Sequence, residues 1–149
     1  MQPNTFADLK LLSNLRNIEV SLDAASAGVY EKVRYPGKWR TVVENIDYLV
    51  ELRKNYSFYM NASFVIQRSN LDDVLPFVDF CNERGIEPSF NLLQDWASFE
   101  DYQSECVHRP YDALHSQFLE IISTKEFQST NPHWLSNYNL LTTETVSSS

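Results

Sequence analysis

Glycine is nearly absent: the 149 residues hold three, Gly28, Gly37 and Gly85. Loops that cradle phosphates cluster glycines so that the backbone can approach the anion. Three isolated glycines argue against such a nucleotide loop as the basis of function. Cysteine is nearly as scarce, with only Cys81 and Cys106. Two cysteines so far apart build no disulfide framework and cannot hold a four-iron cluster, which takes three or four thiolates. Basic residues number 12 against 20 acidic ones, a formal charge of −8. That balance speaks against nucleic acid and against an anionic membrane surface as partners, and solubility alone accounts for it. No apolar run approaches the ~20 residues of a membrane span. Met1–Thr5 has neither the basic nor the apolar region of a signal peptide, so the expected location is cytoplasmic. The motifs G-x-S-x-G and H-E-x-x-H are missing.

What is present is an ordinary globular composition, 43% hydrophobic and 21% charged, in a chain long enough for one domain with a core. The most informative stretch is Ile18–Arg34. Ile18, Val20 and Leu22 alternate with Glu19, Ser21 and Asp23, the period of a strand with two unlike faces. Ser26 then stands at the N-cap position of a short helix ending near Arg34. Thr5–Arg16 carries helical spacing through Phe6, Leu9 and Leu12. Trp39–Lys54 is the clearest helix, with Trp39, Val42, Val43, Ile46, Leu49, Val50 and Arg53 in register. Trp39 reads as core before ligand contact.

Ser57–Gln67 alternates again, Phe58, Met60, Ala62, Phe64 and Ile66 against Tyr59, Asn61, Ser63, Val65 and Gln67. Asn70 is placed to cap the next helix, with Asp72 and Asp73 in its first turn and Gly85 as its C-terminal stop. Pro88–Leu93 is a third strand, Phe90 and Leu92 opposite Ser89 and Asn91. Residues 97–110 read as a loop with a turn of helix and Tyr111–Ile122 as a further helix. The pattern fades past Thr124, so residues 123–149 form a C-terminal extension, irregular and disordered at its end.

Alternating helices and strands predict α/β architecture with about three parallel strands and right-handed crossovers. A whole eight-stranded barrel needs ~200 residues or more. Residues 1–122 therefore read as a partial (β/α) barrel or a small open sheet, with an N-terminal half expected elsewhere. Each strand pairs a bulky apolar face with a small polar one. Polar groups also gather at the strand ends: Ser21 and Asp23, Gln67 and Asn70, Gln94 and Asp95. Ligands bind at the carboxyl ends of parallel strands, although a water-facing sheet shows the same alternation.

The patterns S-x-D-A-A and Y-x-K-x-R (Ser21–Arg34), W-R-T-V-V-E-N-I-D-Y-L-V-E-L (Trp39–Leu52), F-V-I-Q-R-S-N-L (Phe64–Leu71) and N-L-L-Q-D-W (Asn91–Trp96) together resemble the radical S-adenosylmethionine enzyme barrel over residues 17–122. The family's C-x-x-x-C-x-x-C cluster motif is absent. The resemblance implies an oxidoreductase-like chemistry in which a 4Fe-4S cluster cleaves S-adenosylmethionine to a deoxyadenosyl radical that abstracts hydrogen from substrate. By that likeness Ser21 and Asp23 would hold the ribose side of the cofactor. Arg34 would pair with the methionyl carboxylate, and Val65 and Gln67 would line the adenine. Asp95 and Trp96 would meet a substrate, a peptide or a small molecule. The residues themselves also allow plainer roles: a helix-terminal cation for Arg34, an N-cap for Asn70, a loop cap for Asp95. Cys106, His108 and His115 match no standard zinc spacing.

Three functions compete. The chain is a fragment of a radical S-adenosylmethionine enzyme, inactive alone and completed by a cluster-bearing half. Or it is a non-catalytic half-barrel that binds or scaffolds. Or it is an unrelated small α/β enzyme using Asp23, Asp95 or His108. A bare edge strand also points to self-association.

Overall fold

The computed structural model describes residues 14–93 and 104–138. Residues 5–13 of the expected Thr5–Arg16 helix, Gln94, Asp95, Trp96 and the tail from 139 lie outside them; Leu15 and Arg16, expected at that helix's end, are not helical and lead straight into the first strand. The order is β1 (Asn17–Ser21), α1 (Ala27–Val33), α2 (Trp39–Leu52), β2 (Tyr59–Ile66), a 3-10 turn (Arg68–Asp73), α3 (Val74–Arg84), β3 (Glu87–Leu92), α4 (His115–Ile122), α5 (Lys125–Gln128) and a final 3-10 turn (Leu135–Asn137). Three parallel strands form one open sheet in the order β1-β2-β3.

Sequential strand order with right-handed crossovers sends the connecting helices to one face of the sheet. Burial agrees. Met60, Ala62, Phe64 and Ile66 of β2 are each 1% exposed or less, while Tyr59, Asn61, Ser63 and Val65 between them are partly or fully exposed. The alternation in the sequence thus separates a helix-covered apolar face from an open polar one. Ile46 and Leu49 of α2, and Val74, Phe77, Val78 and Cys81 of α3, fill the covered side.

Helix ends follow local chemistry. Gly85 ends α3 in the left-handed region, φ 64°, which a side chain would strain. Arg53 closes the same end, donating from Nη1 to Gly85 O at 2.8 Å and from Nη2 to Arg84 O at 2.8 Å. Trp39 sits between Tyr30 and Phe80, ring centroids 5.5 Å from each, and is a core contact.

The helix expected from Tyr111 starts at His115. Asp112 stops it earlier by accepting from Leu114 N at 2.8 Å. The core also runs past residue 122. Phe127 is fully buried and Trp134 is 6% exposed, and both pack in an aromatic group with Phe90 and Phe118. Isolated aromatics among polar neighbours carry no periodicity, so the sequence pattern does not show this. None of the described helices is long and apolar enough to cross a membrane.

Candidate functional site

The register sets the polar face out in rows. Glu19, Asn61 and Glu87 share one row, and Ser21, Ser63 and Ser89 the next. Adjacent strands lie about 4.8 Å apart, so side chains along a row meet. Asn61 Nδ2 donates to Glu19 Oε1 at 3.1 Å, and Ser63 Oγ to Ser21 Oγ at 3.3 Å. Val65 and Asn91 form the row nearest the carboxyl ends.

Above Ser21 the backbone of β1 turns away, with Asp23 at φ 60°, a region in which aspartate is better tolerated than most residues. The Asp23 side chain takes over the ladder, Oδ1 accepting from Val65 N at 2.8 Å. Burial pushes the Asp23 carboxyl above the usual range, against the opposing pull of the Val65 N–H and the Arg34 charge. Arg34 arrives from the end of α1. Its Nη2 donates to Ser21 O at 2.9 Å, and its Nε lies 3.7 Å from Asp23 Oδ2. The guanidinium side chain stays 37% exposed, against 14% for Asp23, which leaves N–H donors facing water.

Two residues hold this corner together from below. Asn70, 1% exposed, donates from Nδ2 to Asp23 O at 3.0 Å and to Val65 O at 2.8 Å, and accepts at Oδ1 from Gln67 N at 2.9 Å. Asp73 Oδ2 accepts from Ala25 N at 2.7 Å and from Ser26 Oγ at 2.9 Å. Ser26 does occupy the N-cap position of α1, but its hydroxyl makes no cap bond. Asn70 is third in its 3-10 turn, with Gln67 at the N-cap and the two residues closing a capping box. The sequence pattern places Asn70 as a local cap and Asp73 as a helix-dipole partner. Asn70 bridges the ends of β1 and β2, and Asp73 ties the turn after β2 to the start of α1, roles that contacts 47 and 48 residues apart in the chain do not announce.

No family model, curated protein or solved structure matches the chain.

The structure therefore gathers Ser21, Asp23, Arg34 and Val65 at one corner of the open face, with Gln67 one residue beyond β2. Asp95 and Trp96 fall outside the described residues. Ser89 and Asn91 stand on the same face two strands away, beside a cleft of about 250 Å³ bounded by Thr130, Asn131 and His133. The corner offers hydroxyls, a carboxylate with a raised pKa and a half-open guanidinium. Such a set can hydrogen-bond a polar ligand, the guanidinium suiting a carboxylate.

Elsewhere, Cys106 Sγ lies 3.5 and 3.6 Å from the two ring nitrogens of His108. The thiol is fully buried. Burial, helped by the Arg109 and His115 charges, lowers His108 to about 4, so no imidazolium is present at neutral pH to favour a thiolate. Among the described residues no three His, Cys, Asp or Glu side chains are grouped to hold a metal ion.

Proposed function

We propose that the chain is a half-barrel of the radical S-adenosylmethionine type that binds S-adenosylmethionine at the carboxyl ends of its strands. The observation that carries this reading is the convergence of Ser21, Asp23 and Arg34 at one corner of an open polar face. Arg34 would take the methionyl carboxylate with its remaining donors. Ser21 and Asp23 would meet ribose hydroxyls. Val65 and Gln67 would flank the base.

A 4Fe-4S cluster does not fit this chain. Cys81 and Cys106 are its only cysteines and both are buried. Burial also pushes the Cys81 thiol up to about 12. Radical chemistry on the bound sulfonium therefore requires cluster ligands from outside these residues, encoded upstream or on a partner chain, and these residues alone would be inactive. The same cysteines favour a second reading, a non-catalytic half-barrel that binds or scaffolds. A C-x-x-x-C-x-x-C encoded in frame upstream of Met1 or on a partner chain selects the first reading, and its absence from both selects the second.

Titration calorimetry with S-adenosylmethionine tests the shared premise. Saturable binding is expected, weakened about tenfold or more by Arg34→Ala, the value of one charge-assisted hydrogen bond. Absence of binding, or binding indifferent to both Arg34→Ala and Asp23→Asn, refutes it.

A further inference from the structure

The two edges of the sheet are finished differently. On β3, Phe90 turns its carbonyl away from β2 and receives Trp134 Nε1 at 3.0 Å. Pro88 shares that outward phase, where its missing N–H forfeits no ladder bond. On β1, Arg16 O accepts from Tyr59 N and Leu22 N donates to Ser63 O. Even-numbered residues thus bond β2, and Asn17, Glu19 and Ser21 point their backbone groups outward. Arg34 occupies Ser21 O. The outward backbone groups of Asn17 and Glu19 meet no partner among the described residues. Ile18 and Val20, on the helix-covered face, stay partly exposed, while their β2 neighbours Met60 and Ala62 are each 1% exposed.

We propose that a second copy of this chain closes this edge, two β1 strands pairing antiparallel about a two-fold axis at Ile18. Only outward-facing residues can share the new ladder, which restricts the register. Centred on Ile18, Asn17 faces the partner's Glu19 and Glu19 faces the partner's Asn17. That repeats the amide–carboxylate contact already made by Asn61 with Glu19. Centred on Glu19, two carboxylates oppose each other, which is unfavourable. The favoured register sets Ile18 against the partner's Ile18 in a non-hydrogen-bonded pair, with Cα atoms about 4.5 Å apart. Because Pro88 and Trp134 blunt the β3 edge, pairing stops at two chains and does not grow into a filament. The dimer is a six-stranded sheet with both polar faces on one side. This inference needs only the backbone and stands whether or not the corner binds S-adenosylmethionine. A cluster-bearing half would require the same edge and would displace the second copy.

Sedimentation equilibrium of the full chain over a dilution series tests it. A twofold mass that falls to the single-chain value on dilution is expected. Glu19→Pro deletes an outward N–H that β2 does not use, and should give the single-chain mass with an unchanged far-ultraviolet circular dichroism spectrum. Ile18→Cys should form an intermolecular disulfide under mild oxidation, absent from the parent chain. A single-chain mass at every concentration overturns the proposal, as does a dimer that survives Glu19→Pro. If Glu19→Pro fails to fold, the Ile18→Cys cross-link decides, its presence sustaining the pairing and its absence overturning it.

Discussion

Replacing Asn70 by alanine should be among the most damaging polar substitutions in this chain. The side chain is 1% exposed and makes three bonds, to Asp23 O, Val65 O and Gln67 N. Alanine leaves two carbonyls and one N–H without their partner in the interior. At about 1 kcal/mol net per bond, the loss is about 3 kcal/mol, which for a chain this size lowers Tm by roughly 10 °C. Asn70→Asp sharpens the test. It keeps the acceptor for Gln67 N but turns a carboxylate toward two carbonyls, so it should cost at least as much as alanine. Urea denaturation of the three proteins, with m unchanged, reads the difference directly. A loss below 1 kcal/mol for Asn70→Ala, or an Asn70→Asp protein as stable as the parent, refutes the view that Asn70 pins the strand ends together.

Trp134→Phe keeps the ring in the core but removes the bond to Phe90 O, and should cost about 1 kcal/mol in the same urea assay. His108 has a folded-state pKa of about 4, below its ordinary 6.5, so the unfolded chain binds more protons between those values. Its contribution is present above pH 6.5 and is lost as pH falls toward 4, about 2 kcal/mol after allowing for the part of the ring open to water. His108→Gln should flatten that slope in unfolding curves taken across pH 4–7. Asp23 runs the other way: its pKa is raised, so its contribution is greatest when protonated and declines as pH rises from 3.8 through the raised value. Asp23→Asn should remove that decline. Cys81, buried with its thiol pushed up to about 12, should resist iodoacetamide at pH 8 in the native state and react on adding denaturant.

The strands were largely legible in the sequence because their two faces differ so sharply. The alternation from Phe58 to Ile66 matches the burial of β2 residue by residue. Boundaries moved by one or two residues where a side chain intervened. β1 ends at Ser21, ahead of the left-handed Asp23, and β2 ends before Gln67 begins its capping box. Gly85 ended α3 as its conformational freedom predicts. The corner was only half legible. Ser21 and Asp23 could be picked as polar groups near one strand end and Arg34 only through the family resemblance, but the supports under them could not. Asn70 and Asp73 look like helix-start residues in any linear reading, and only the crossover between β1 and β2 brings them beneath residues 23–26. Phe127 and Trp134 were hidden for a related reason. Each enters the core singly, from a turn, with no repeat to signal it.

The central claim, that polar groups at the carboxyl ends of β1 and β2 form one ligand-binding corner with Arg34, is tested most directly by following backbone amide resonances during a titration with S-adenosylmethionine. The account predicts saturable shifts at Leu22, Asp23, Val65 and Gln67, with the helix-facing core unmoved. Shifts confined to Arg16, Ser57 and Tyr59 around the cleft at the opposite strand ends, or no shifts at saturating ligand, would contradict it.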